Sequence, residues 1–295
     1  IVNCIRYAVR HRRADGWMPD RVTTDGLAVY AAGIAAAPVG EANLDNTPFL
    51  IFTVDSLSRR MDTDAFLPLF TEWEAVLEQG LFLLPIDENG LVYNDVQKPH
   101  SPYGFTDTIG KTGTLYMESL LYWRACRMME HMCKTYGVGN PDHFAEAAEA
   151  VERSLSLLFD PAAGAFYAAT KDCHQYDIWG MAYMLYIGFP CSADEKQAVL
   201  SFLEKNYDAC VYCGQVRHLL KGQYWERLLI DVEPETYQNG AYWATASGWM
   251  IWCLAQQNPA LAVRALEDVV SCFKTDGSFE CINAVSYTHL TLPTT

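Results

Sequence analysis

No stretch of 18 consecutive apolar residues occurs in this chain, so no membrane-spanning helix is expected. Basic residues are scarce: 21 Lys and Arg stand against 36 Asp and Glu, a formal net charge of −15. Phosphate backbones are bound by clustered cations, so a nucleic-acid partner is excluded. Cysteine is present ten times but without framework spacing. A chain of 295 residues, 51% of them hydrophobic, builds a core without staples, so the thiols read as reduced and the protein as cytoplasmic. The one C-x-x-C, Cys210-Val211-Tyr212-Cys213, has His218 nearby but no second pair at zinc-ribbon spacing, and Cys173-His174 is isolated. No metal and no cofactor is expected. An initiator Met and a leader peptide are missing too, and residue 1 is an Ile in mid-pattern, so the expectation is a fragment truncated at both ends. Residues 284–295 abandon the pattern and read as a non-native tail.

What the chain does have is a recurring phrase, a glycine that opens a short extended and often aromatic stretch. It occurs as Asp15-Gly16-Trp17, Gly90-Leu91-Val92-Tyr93, Gly164-Ala165-Phe166-Tyr167, Gly214-Gln215-Val216-Arg217 and Gly277-Ser278-Phe279-Glu280. Two helix-like segments separate successive phrases, one apolar on all sides and one amphipathic. Asn46-Thr47-Pro48 opens the first apolar helix, over 49–59, with its partner over 64–79. The later pairs are 107–136 with 141–159, a short helix from Asp177 with 193–206, and 239–255 with 259–274. A ring of apolar helices wrapped by amphipathic ones is an all-α toroid of helical hairpins. The closed form expected is (α/α)6, here one domain over 1–283 with about four full hairpins and part of a fifth.

Loops joining each phrase to the next apolar helix share one end of such a ring. Unusual polar residues concentrate in four of them: Asn43-Leu44-Asp45-Asn46-Thr47-Pro48, Tyr103-Gly104-Phe105-Thr106-Asp107-Thr108, Gln175-Tyr176-Asp177-Ile178-Trp179, and Tyr237-Gln238-Asn239-Gly240-Ala241-Tyr242-Trp243. Asp45, Asp107 and Asp177 each precede a predicted helix, where Asp is a preferred cap, so capping alone accounts for any one of them. Glu280 precedes no visible helix. In a six-unit ring, units three apart face each other, which opposes Asp107 to Glu280. A carboxyl pair across a substrate-sized gap is what glycoside hydrolysis requires. Asp45 would instead face Glu233 and Glu235, the competing pair. Eight Trp and 13% aromatic residues fill a core or stack on sugars.

At these residues the chain resembles the six-hairpin glycosidases, most of all the glucosidase domain of glycogen-debranching, amylo-α-1,6-glucosidase-like enzymes. Gly104-Phe105-Thr106-Asp107-Thr108, with Gly110-Lys111-Thr112 and Leu120-Leu121-Tyr122-Trp123, is similar to the family stretch WMDA…GKPVE…ALWYNA. The 237–243 segment is similar to YHNGTVW, a sugar-contacting loop, and Gly277-Ser278-Phe279-Glu280 to the later G-x-x-E. The likeness spans residues 43–283, with Phe-Thr replacing Trp-Met before Asp107 and Gln238 replacing His. Leu44-Asp45-Asn46-Thr47-Pro48-Phe49 is similar to a substrate-rim segment, and also to the acid-bearing segment of relatives that trim glucose from oligosaccharides. Asp177-Ile178-Trp179 echoes the DLWE of glucoamylases, with Gly180 where their acid stands.

The resemblance implies an inverting, exo-acting glycoside hydrolase on a glucan or short oligosaccharide, with Asp107 as general acid and Glu280 as general base. Trp17, Tyr103, Phe105, Trp179, Tyr242 and Trp243 would wall the sugar. Asp45, Asn46, Lys111, Asp177, Gln238 and Asn239 would bind its polar groups. Asp45 is the alternative acid. Two further readings are a glycoside phosphorylase, with Arg217 and His218 as the cations for phosphate, and a non-catalytic carbohydrate-binding toroid.

Overall fold

A left-handed backbone explains the repeated glycine. The structure is a computed structural model that describes residues 1–34, 36–277, 279–284 and 289–290. In it Gly16, Gly90, Gly164, Gly214 and Gly277 all have positive φ, between 69° and 107°. Glycine is the residue that enters this region without steric cost. Close packing adds a second reason: a Cβ on Gly90 would lie 2.5 Å from the Ala150 Cβ, and one on Gly214 would lie 2.5 Å from the Ala265 carbonyl oxygen.

The chain divides into two compact units, Ile1–Leu155 and Ser156–Thr295. The first begins with α1 (Val2–Arg10) and two hairpins, β1 (Arg21–Val22) with β2 (Ala28–Val29) and β3 (Ala32–Ile34) with β4 (Ala37–Val39). Helices α2 (Asn46–Ser58) and α3 (Thr63–Leu81) follow. Next come the paired strands β5 (Tyr93–Asn94) and β6 (Gly113–Thr114), then α4 (Tyr116–Tyr136) and α5 (Pro141–Ser154). The second unit opens with the hairpin β7 (Phe159–Asp160) and β8 (Ala165–Phe166). It continues through α6 (Ile178–Tyr186), α7 (Ala193–Lys205), the one-turn α8 (Tyr207–Cys210), and the hairpin β9 (Val211–Tyr212) and β10 (Gln215–Val216). Helices α9 (Ser247–Gln257) and α10 (Pro259–Asp276) precede β11 (Cys281–Ile282), which pairs with β12 (His289–Leu290).

Within each pair the first helix is more buried than the second. Eight of the nine residues of α6 and thirteen of the 21 in α4 are buried, against four of thirteen in α7 and three of fourteen in α5. Within the first unit α2 packs on α4; within the second α6 packs on α9. The order of phrase, loop, buried helix and amphipathic helix thus recurs in α2–α3, α4–α5, α6–α7 and α9–α10. Four of the five phrase glycines rest on the amphipathic helix that follows them: Gly16 on α3 through Gln79, Gly90 on α5, Gly164 on α7 through Ala198, and Gly214 on α10.

Two helices start later than the sequence suggests. The α4 helix begins at Tyr116, not Asp107, because the intervening backbone is already committed. Asn94 Nδ2 donates to the carbonyls of His100 (3.0 Å) and Lys111 (2.8 Å), and Gly113 takes a φ of 81° in β6. Asp107 therefore caps no helix. Helix α9 begins at Ser247, not Asn239, because Tyr242 and Trp243 exchange backbone hydrogen bonds with Ile282 and Val216. Helix α5 ends at Ser154, and Phe159 belongs to β7. Of the tail at 284–295, residues 285–288 and 291–295 lie outside the described residues, as does Ser278 of the fifth phrase. All ten cysteines are free thiols, and no helix among the described residues is long and apolar enough to cross a membrane.

Candidate active site

Asp45 stands at the N-cap of α2, and its carbonyl accepts the Phe49 N–H at 3.0 Å. Its side chain does not cap the helix. Instead Oδ2 accepts the Gly104 N–H at 2.8 Å, and this is the only hydrogen bond of the carboxyl among the described residues. The residue is 6% exposed. Burial pushes the carboxyl up from its ordinary 3.8 to about 7; the Gly104 N–H pulls against this, and the Asp20 and Glu118 carboxylates add to it. A carboxyl that still holds its proton near neutrality can donate that proton to a leaving oxygen.

Asp45 lines a cavity of about 610 Å³ formed by α1, the segment 19–22 and the start of α2. Small-molecule sites span roughly 300–1,000 Å³. Phe49, 40% exposed, presents its ring there, and its plane is stacked on Tyr103 (centroids 6.1 Å apart, 12° between planes). Phe105 backs Tyr103 at 5.5 Å. Asp20, which also lines the cavity, is fixed by Asn43 Nδ2 (2.9 Å) and Arg21 Nη1 (2.6 Å). Asn46 Nδ2 donates to the carbonyls of Met18 (3.0 Å) and Tyr30 (3.3 Å), tying α2 to the loop before it. The cavity thus combines a carboxyl pushed toward its protonated form, an apolar ring face and fixed polar groups.

Several expected site residues support this cavity from behind. Trp17 is buried against the His100 ring at 4.8 Å, and Tyr103 is buried beneath Phe49. Lys111 is buried too, its ammonium 2.5 Å from Glu118 Oε1 in an ion pair closed to solvent. Asp107 is half-buried in the loop after Gly104, with its carbonyl accepting from Ser101 Oγ at 3.3 Å, and it is not among the residues lining this cavity. Asp20 carries no motif, and Phe49 ends the substrate-rim-like segment without being singled out there; the one available signal for it was a bulky ring four residues after Asp45, on the same helical face.

In the second unit the expected residues gather in the interior. Asp177 caps α6, accepting the Gly180 N–H at 2.9 Å. Trp179 is buried, donates from Nε1 to the Val216 carbonyl (3.1 Å) and stacks on His218 at 3.9 Å. Asn239 accepts the Trp225 N–H (3.0 Å) and donates to the Val232 carbonyl (2.9 Å). Gln238, Tyr242 and Trp243 are buried alongside. Glu280, partly buried just before β11, has its carboxyl raised by burial, while a hydrogen bond from Tyr237 opposes the rise. Glu235 is held by Arg217 Nη1 (3.1 Å) and the Tyr224 hydroxyl (2.7 Å). No group of three or more His, Cys, Asp or Glu among the described residues is arranged to hold a metal.

No family model and no curated protein matches the chain. Solved structures do. A GH63 mannosylglycerate hydrolase from Thermus thermophilus, in complex with glucose, superposes with a TM-score of 0.68 at 15% identity, covering 98% of this chain and 83% of that one. A rhamnosidase from Klebsiella oxytoca with rhamnose bound gives 0.66 at 11% identity, over 97% of this chain and 48% of its own. The GH78 family rhamnosidase of a Bacillus species gives 0.58 at 12% identity, over 96% and 26%. At these identities the likeness shows the fold alone, the all-α (α/α)6 class.

Proposed function

We propose that the protein is an inverting, exo-acting glycoside hydrolase on a short oligosaccharide or glucan chain end, with Asp45 as general acid and Glu280 as general base. The observation that carries this reading is the buried Asp45 carboxyl, hydrogen-bonded to the Gly104 N–H beside an exposed aromatic ring in a cavity of about 610 Å³. Phe49 stacks on the apolar face of the terminal ring. Asp45 donates its proton to the glycosidic oxygen as the C1–O bond breaks, and the leaving alcohol departs neutral. Water adds to C1 from the opposite face and gives its proton to a general base, the role that the resemblance implies for Glu280. The geometry favours Asp45 over Asp107 because Asp45 lines the cavity. Chain-end α-linked glucose, the substrate class implied by the resemblance of residues 104–112 and 237–243, is the first to assay.

Water is favoured over phosphate as acceptor. Arg217, the cation a phosphorylase would use, is wholly buried and paired with Glu235. Proton NMR of the first product anomer, together with sugar release with and without phosphate, tests the reaction type. Asp45→Asn should lower kcat by about 10²- to 10⁴-fold, the usual worth of a general acid. Asp107→Asn should keep kcat within about tenfold of wild type on the same scale. The reverse ranking would return the acid role to Asp107.

A further inference from the structure

Asp20 is held at its backbone N–H and at both side-chain oxygens. The N–H donates to the Val29 carbonyl at 2.7 Å. Oδ1 accepts from Asn43 Nδ2 at 2.9 Å, and Oδ2 accepts from Arg21 Nη1 at 2.6 Å. Asn43 is itself buried, and its amide has one orientation: Oδ1 accepts the Ala32 N–H at 2.9 Å, and the backbone N–H donates to the Tyr30 carbonyl at 3.1 Å. Arg21 donates further to the carbonyls of Ala31 (3.1 Å) and Gly33. The Asp20 carboxylate is therefore set in position before any ligand arrives.

This clamp leaves acceptor capacity over. A carboxylate offers about four lone-pair sites, and Asn43 and Arg21 take one on each oxygen. One site remains on each, and the side chain lines the same cavity as Asp45 and Phe49. Two fixed acceptors side by side suit two adjacent hydroxyls. The cations tell against a charged ligand. Among the described residues lining the cavity, Arg21 is the only Lys, Arg or His. Three of its five N–H donors are committed to Asp20 and to the Ala31 and Gly33 carbonyls. An anionic ligand would meet two acidic side chains, Asp20 and Asp45, with no cation released to pair it. Desolvating a charge without a partner is costly.

We propose that Asp20 is a specificity-determining residue: its clamped carboxylate accepts hydrogen bonds from two adjacent hydroxyls of a neutral sugar and turns uronates away. This rests on the reading of the cavity as a sugar site. Phe49 orients the ring by its apolar face, and Asp20 reads its hydroxyls. A site built to bind a hydroxyl rejects the analogue that lacks it, because the site's own polar group is then left without a partner.

The test is binding by the whole protein, read by saturation-transfer NMR without turnover. Glucose, mannose and galactose are titrated against glucuronate, mannuronate and galacturonate at one salt concentration. The best-bound hexose should bind about tenfold or more tightly than its uronate, and Asp20→Asn should shrink that gap to about threefold or less. Monodeoxy analogues of the same hexose form a second arm that needs no variant. Loss of either of two neighbouring hydroxyls should weaken binding to the wild-type protein about 10- to 100-fold, the worth of a hydrogen bond to a charged group. Loss of any other hydroxyl should cost less, and in Asp20→Asn the two large losses should nearly vanish. If Asp20→Asn fails to fold, the wild-type deoxy series decides alone. Uronates that bind as well as hexoses, a gap unmoved by Asp20→Asn, large losses at hydroxyls that are not neighbours, or no hexose binding at all overturns the proposal. Hexose binding that follows the expected pattern without hydrolysis of any glycoside would sink the hydrolase reading and leave Asp20 in its role. Hydrolysis with no discrimination between hexose and uronate would do the reverse.

Discussion

Asp45 carries opposite consequences for chemistry and stability. A carboxyl raised from 3.8 to about 7 in the folded state binds its proton more tightly there than in the unfolded chain. Its contribution is therefore fully present below about pH 4 and is lost as pH rises through 7, a loss of about 4 kcal/mol at one pKa unit per 1.36 kcal/mol. Asp45→Asn removes that slope. In urea unfolding the variant should gain on wild type steadily between about pH 4 and pH 7 and then hold a constant advantage. Parallel pH profiles for the two proteins would mean that Asp45 titrates normally. The motif around Asp45 was legible in the sequence, but the setting of its carboxyl was not. Asp at a helix start reads as a cap, and only the structure shows that the carboxyl leaves capping aside and bonds Gly104 instead.

The hairpins were legible because two independent signals coincide in each: a glycine that must be left-handed and a switch from an all-apolar to an amphipathic helix. Gly90 makes the point testable. Gly90→Ala should destabilise by about 1–2 kcal/mol from the left-handed backbone alone, and by more from the 2.5 Å approach to Ala150. Adding Ala150→Gly should recover only the steric part; full recovery would mean that the backbone at 90 is unstrained. What the sequence hid is where loops end and helices begin. Asn94 reaches across to the backbone of the 100–111 segment, and no local pattern announces so distant a bond. The same holds for Lys111, whose motif resemblance suggested contact with sugar. It lies instead in a buried pair with Glu118, so Lys111→Met should cost about 3–5 kcal/mol by leaving the carboxylate alone, and Lys111→Met with Glu118→Leu should restore most of it. A small effect of the single change would show that water reaches the pair.

For the whole chain, fold class was readable from repetition, and the solved glycosidases share it at identities too low to carry a substrate with it. Site chemistry was readable only as a short set of carboxylates. Burial, which no motif encodes, sets Asp45 at a cavity and Lys111, Trp17 and Trp179 in the interior. The claim that most needs testing is that Asp45 delivers a proton to a departing oxygen. Rates of Asp45→Asn on an oligosaccharide and on the matching glycosyl fluoride measure this directly. The expected result is a loss of about 10²- to 10⁴-fold on the oligosaccharide and near wild-type turnover of the fluoride, which leaves without protonation. Equal losses on both would contradict it.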